Sequence, residues 1–100
     1  MPDKDYEISL PSGARVVVSI RMVGGRVVSF IVRLVAVRAG RDYDVARYDT
    51  AHGKPHLDLL TASGSLREKR WLDIDDFETA LTYAIEDFKT NHEKYLAQDR

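Results

Sequence analysis

The sequence predicts an α+β fold: an antiparallel β-meander of five or six strands with one long C-terminal helix packed on the sheet. Three observations predict it. From about residue 6 to residue 72, apolar and polar residues tend to alternate, which is the period of half-buried strands. Gly24-Gly25 stands between two β-branched runs, where a two-residue hairpin needs positive φ at both central positions. From about residue 74 to residue 97 the apolar residues recur at three- and four-residue steps without Gly or Pro, as in one helical stripe.

Taken in order, Tyr6, Ile8 and Leu10 alternate with polar neighbours, and Pro11-Ser12-Gly13 then supplies a turn. In the second strand, Arg15 to Val23, the residues Val16, Val18, Ile20 and Met22 form the inward face. The third strand, Arg26 to about Arg38, sets Val28, Phe30, Val32, Leu34 and Ala36 against Val27, Ile31, Val35 and Val37. With both faces apolar, it is expected at the centre of the sheet, covered on both sides or meeting another subunit. Ala39-Gly40-Arg41-Asp42 forms the next turn. A fourth strand follows in which Tyr43, Val45 and Arg47 oppose Asp44, Ala46 and Tyr48.

Leu57, Leu59 and Leu60 mark a short apolar strand, and residues 61–65 a further turn before a last strand from Leu66 to Leu72. Trp71 is expected to anchor the core near the helix start, since its large apolar area favours burial. Its neighbours Arg67, Lys69 and Arg70 allow a second reading, an aromatic and basic clamp for single-stranded nucleic acid. The helical stripe runs through Phe77, Leu81, Ala84, Ile85, Phe88, Tyr95 and Leu96, with Asp73 or Asp75 as N-cap. A helix of about 24 residues spans roughly 36 Å, so its last turns are expected to project or to contact a partner. His92 is expected on its rim.

One hundred residues with 44% apolar and 31% charged content fit a single domain over residues 1–100. The absence of cysteine excludes disulfides, thiolate metal sites and cysteine nucleophiles, and fits a reducing compartment. The acidic N-terminus lacks the apolar run of a signal peptide, and no stretch approaches the roughly 20 apolar residues of a membrane helix. A cytoplasmic protein without membrane association is therefore expected. Residues 1–50 hold eight Lys or Arg against six Asp or Glu, and residues 51–100 seven against ten. Nucleic-acid binding is permitted by this balance and not required by it.

Reactive side chains concentrate in Arg47-Tyr48-Asp49-Thr50-Ala51-His52-Gly53-Lys54-Pro55-His56-Leu57-Asp58. Three readings compete. His52 and His56 could act as general acid and base, with Lys54 or Arg47 offsetting charge on a phosphoryl group, which suits metal-independent RNA cleavage. With Asp49 or Asp58 they could ligate zinc or another divalent ion, although Gly53 and Pro55 exclude the regular helix of the usual His-x-x-x-His site. Alternatively they hydrogen-bond the backbone of a tight loop in which Asp49 and Thr50 cap a turn. No cofactor is expected.

At Arg47-Tyr48-Asp49-Thr50-Ala51-His52-Gly53, with Pro55-His56 and Asp58-Leu59-Leu60 following, the sequence resembles small prokaryotic proteins of unknown function with an Arg-Tyr-Asp-x-Ala-His-like centre. It is loosely similar to the TumE family of toxins from toxin–antitoxin pairs. The likeness extends to Phe77, Ala80, Leu81, Ala84 and Asp87, and so covers roughly the second half of the chain. The resemblance implies a toxin acting on RNA, with His52 and His56 exchanging protons, Asp49 orienting one imidazole, and Lys54 or Arg47 meeting phosphate. It also implies an antitoxin as a small protein partner. A homo-oligomer is the other partnership expected, and a non-catalytic protein-interaction or nucleic-acid-binding module is the alternative function.

Overall fold

The computed structural model describes residues 3–61 and 63–98, with His52 described by its backbone alone. Six strands, β1 (Lys4–Ser9), β2 (Arg15–Val23), β3 (Arg26–Arg38), β4 (Arg41–Asp49), β5 (His56–Leu60) and β6 (Leu66–Trp71), precede one helix, α1 (Phe77–Gln98). They form a single sheet in sequence order, each strand antiparallel to the next. The expected α+β meander is thus the observed architecture. The helix packs on β2, β3 and β4.

The hairpin turns follow from backbone chemistry. Gly24 and Gly25 take φ of 59° and 79° between β2 and β3, as a primed two-residue turn demands. Ala39 and Gly40 take φ of 54° and 78° between β3 and β4, so here an alanine occupies a left-handed position that disfavours a Cβ.

On the helix side, alternate residues of the central strands form the core. Val16, Val18 and Ile20 of β2, Phe30, Val32 and Leu34 of β3, Ala46 and Tyr48 of β4, and Leu57 and Leu59 of β5 meet Ala80, Leu81, Ala84 and Phe88 of α1. Phe88 tilts against Tyr48 at a ring separation of 5.0 Å and meets Tyr95 edge-on at 5.3 Å. Burying alternate residues against one helix stripe places the intervening residues on the opposite face.

Several expectations change. Between Leu34 and Val35 the register shifts, pairing Leu34 with Ala46 and Val35 with Asp44. The extra residue, Val45, is a β-bulge that resets the alternation of β4. As a result Arg47 parts from Tyr43 and Val45, which pack toward the core. On β3 a second bulge, at Val28, turns Val27 toward the core and leaves Val28 exposed, against the expected faces. Of the other helix-free apolar residues only Val35 is buried, while Ile31 and Val37 are exposed. Trp71 is 53% exposed, because it stands on the end strand, beyond the cover of the helix.

The helix starts later than expected, and its N-cap is Asp76. The Asp76 carboxylate accepts hydrogen bonds from the Thr79 backbone N–H at 3.0 Å and from the Thr79 hydroxyl. Both bonds hold its carboxyl below the usual value, the Thr79 hydroxyl most strongly. The far end does not project freely. Arg67 donates to the Gln98 carbonyl at 2.7 Å, and Tyr95 and Leu96 pack against the core. His92 is buried, its Nδ1 lying 2.8 Å from the Ser12 hydroxyl and tying the β1–β2 turn to the helix.

Candidate functional site

Strand register assembles the site on the helix-free face. β4 and β5 pair Arg47 with Asp58 and Asp49 with His56, so residues separated by several positions in the chain become direct cross-strand neighbours. β6 extends both rows, placing Lys69 beside Asp58 and Trp71 beside His56. The connection between β4 and β5 is a 3-10 turn over Ala51–Gly53.

That turn is fastened at its start. Asp49 Oδ1 accepts the Ala51 N–H at 3.0 Å, and the Thr50 hydroxyl accepts the Phe30 N–H at 3.0 Å. The Asp49 bond is the local side-chain bond of such a turn, whereas Thr50 makes no side-chain capping bond to it and ties it to β3 instead. Gly53 takes φ of 80° as the turn ends. Downstream, the Leu72 N–H donates to the Pro55 carbonyl at 3.0 Å and clips the chain leaving β6 to the start of β5.

His56 is the most enclosed member, at 1% exposure. Its Nδ1 donates to the Lys54 carbonyl at 3.1 Å, since a carbonyl oxygen can only accept. Its Nε2 lies 3.0 Å from Asp49 Oδ1 and 3.6 Å from Asp58 Oδ2. As an imidazolium the ring donates from both nitrogens, and as the neutral Nδ1–H tautomer it turns a lone pair toward Asp49. The Trp71 ring leans on the imidazole at 5.1 Å.

Arg47 bridges the two carboxylates. Its Nη2 donates to Asp58 Oδ2 at 3.1 Å, and its Nε lies in ionic contact with Asp49 Oδ2 at 3.1 Å. Lys69 supplies a second cation, with Nζ 3.3 Å from Asp58 Oδ1 and 5.5 Å from the centre of the Trp71 ring. The contacts at Arg47 Nε and Asp58 Oδ1 are ionic and not aligned as hydrogen bonds. Two carboxylates thus face two cations and one imidazole in a largely enclosed setting, where each charge depends on its partners.

Of the five residues expected to form the site, the structure brings Arg47, Asp49 and His56 into direct contact. Lys54 joins through its backbone carbonyl, and its side chain is not among the ionic partners of the group. The side chain of His52 lies outside the described residues. Asp58, read from the sequence as a metal ligand, belongs to the same group, and Lys69 and Trp71, read from the sequence only as a separate aromatic and basic clamp, join it. Their signal lay in the alternation of β6, which puts two residues of one face beside two of β5 once the register is known. Asp49, His56 and Asp58 each offer a ligand atom within 4.8 Å of the others. Arg47 and Lys69 stand against the same two carboxylates, so the group also has the parts of an ion-pair brace.

A second polar group lies between the helix and the sheet. Tyr48 and Tyr95 both donate to Asp87 Oδ2, Tyr48 at 2.6 Å, and Asn91 donates to Asp87 Oδ1 at 2.7 Å. Burial first, and the Asp87 carboxylate second, push both phenols above their ordinary value. The group satisfies the polar ends of two rings whose apolar bodies pack on Phe88.

Among the described residues, no helix is long and apolar enough to cross a membrane. No curated protein and no solved structure gives a significant match to the chain. The family model described as a domain of unknown function (DUF7718) matches residues 1–98. With nearly the whole sequence matched, the chain belongs to the DUF7718 family.

Proposed function

We propose that this domain is a non-catalytic protein-interaction module, and that its Arg47-to-Asp58 motif is a structural brace. One observation carries the reading: His56 is buried with both ring nitrogens directed at acceptors. An imidazole in that position has no open nitrogen for a substrate proton, whereas a general base must come within hydrogen-bond reach of the proton it takes. What the brace supports is the β5–β6 pair, whose outer strand is exposed at every residue. Addition of a partner strand to such an edge is a recognised mode of protein recognition.

The test uses the tagged full chain in its cell of origin, comparing wild type with Arg67→Glu/Arg70→Glu and with His52→Ala. A stoichiometric protein partner lost from the edge variant and kept by His52→Ala is the expected result. Retention of that partner by the folded edge variant would overturn the reading.

A second reading, that the domain acts on RNA as a TumE-like toxin in a cytoplasmic toxin–antitoxin pair, draws on the exposed Trp71 with Lys69 over its ring. An aromatic face beside a cation is a stacking platform for a base. In that reading His52 carries the proton transfer, and His56 with Asp49 positions the loop. Growth arrest and RNA cleavage by wild type, both abolished in folded His52→Ala, would favour it over the interaction module.

A further inference from the structure

We infer that the partner for which the two sheet edges are built is a second copy of this chain, joined β1 to β6 in an antiparallel, head-to-tail manner. The inference rests on the interaction-module reading and names its partner.

Both end strands are uncovered. β1 is exposed at every residue but Ile8, and β6 at all six, while the helix packs on β2, β3 and β4. Each therefore presents a row of backbone N–H and C=O groups without a neighbouring strand, the usual template for joining another chain. Apolar side chains accompany the two rows. Tyr6 on β1, and Leu66 and Trp71 on β6, are among the large exposed hydrophobic residues.

Charge decides which edges meet. β1, with Asp3 before it, carries three carboxylates and one cation; β6 carries three cations and one carboxylate. Joining β1 to β1, or β6 to β6, sets like charges across the new ladder, which is destabilising. Joining β1 to β6 sets a predominantly acidic strand against a predominantly basic one. Direction agrees with charge. Because the sheet is an uninterrupted antiparallel meander of six strands, β1 and β6 run in opposite senses, so a copy added with its helix on the same side continues the alternation without inversion. Such a contact uses different surfaces on the two copies and propagates to a ring or an open chain.

Light scattering on wild type, Asp5→Lys/Glu7→Lys and Arg67→Glu/Arg70→Glu tests the inference. Wild type should show a mass above the 11.4 kDa of one chain that grows with concentration at low salt and falls toward the monomer near 1 M salt, where screening shortens to about 3 Å. Each variant alone, with folding checked by circular dichroism, should stay monomeric. An equimolar mixture of the two should assemble, because one then has two basic edges and the other two acidic ones.

A wild type that stays monomeric to millimolar concentration, folded variants that assemble as wild type does, or a mixture that stays monomeric would each overturn the inference. A monomeric wild type that loses a different protein partner through Arg67→Glu/Arg70→Glu would remove the second copy and leave the interaction-module reading standing.

Discussion

The two faces of the sheet are built from the same strands and are held by different physics. On the helix side, Val16, Val18, Phe30, Val32, Leu34 and Tyr48 are buried against Ala84 and Phe88, and the attraction is apolar and without direction. On the other side, Arg47, Asp49, His56, Asp58 and Lys69 are held by contacts of 3.0 to 3.6 Å. Here the outcome depends on direction and pairing, because a buried charge without its partner is costly. The difference teaches that one sheet can be secured by apolar burial on one face and by paired charges on the other.

This contrast can be broken from either side. Phe88→Ala should cause the largest loss, about 3–5 kcal/mol in urea unfolding, because its ring is fully buried between Tyr48 and Tyr95. A loss below about 1 kcal/mol would mean that the helix does not anchor the sheet. Asp58→Ala should cost about 3 kcal/mol, in the manner of a buried pair that loses one member. It would leave Arg47 and Lys69 without their shared carboxylate. Equal stability of this variant and wild type would show that the charged face is merely solvated.

The polar group between helix and sheet sharpens the contrast through pH. Tyr48 and Tyr95 are held protonated in the fold, while the unfolded phenols titrate near their ordinary value of 10.0. Above that pH the folded state binds more protons, so stability falls as pH rises. Tyr48 should contribute a slope of about 1.4 kcal/mol per pH unit, with nothing from this source below the unfolded value. Chemical denaturation between pH 9 and pH 11 should show the decline beginning near pH 10 and becoming shallower in Tyr48→Phe. A decline of unchanged slope in that variant would contradict the assignment.

Much of the fold was legible because local chemistry dictated it. Gly24-Gly25 required a turn, the β-branched runs required strands, and the stripe from Phe77 to Phe88 required a helix. The helix start was less legible, since Asp73, Asp75 and Asp76 are all suitable caps. The choice of Asp76 accompanies Glu78, whose carboxylate accepts the Val27 N–H at 3.0 Å and fixes the first turn against the hairpin. That bond joins residues far apart in the chain and leaves no local trace.

The site was legible in content and not in form. Arg47, Asp49, His56 and Asp58 were visible as a cluster of reactive types. Their convergence depended on the bulge at Val45, which turns Arg47 away from Tyr43. Trp71 and His92 exchanged their expected surroundings for a related reason. Trp71 falls on an end strand beyond the helix, whereas His92 meets Ser12 from a turn 80 residues earlier. Periodicity reports which face of an element a residue shares, but not what lies opposite that face.

The central claim is that His56 and Asp49 brace the fold as a pair, and a double-mutant cycle tests it most directly. Asp49→Ala, His56→Ala and the double variant would be compared by urea unfolding at pH 7. The brace predicts that the two single losses sum to more than the loss in the double variant, with a coupling of about 1–3 kcal/mol. Additive losses, or single variants within about 0.5 kcal/mol of wild type, would contradict it.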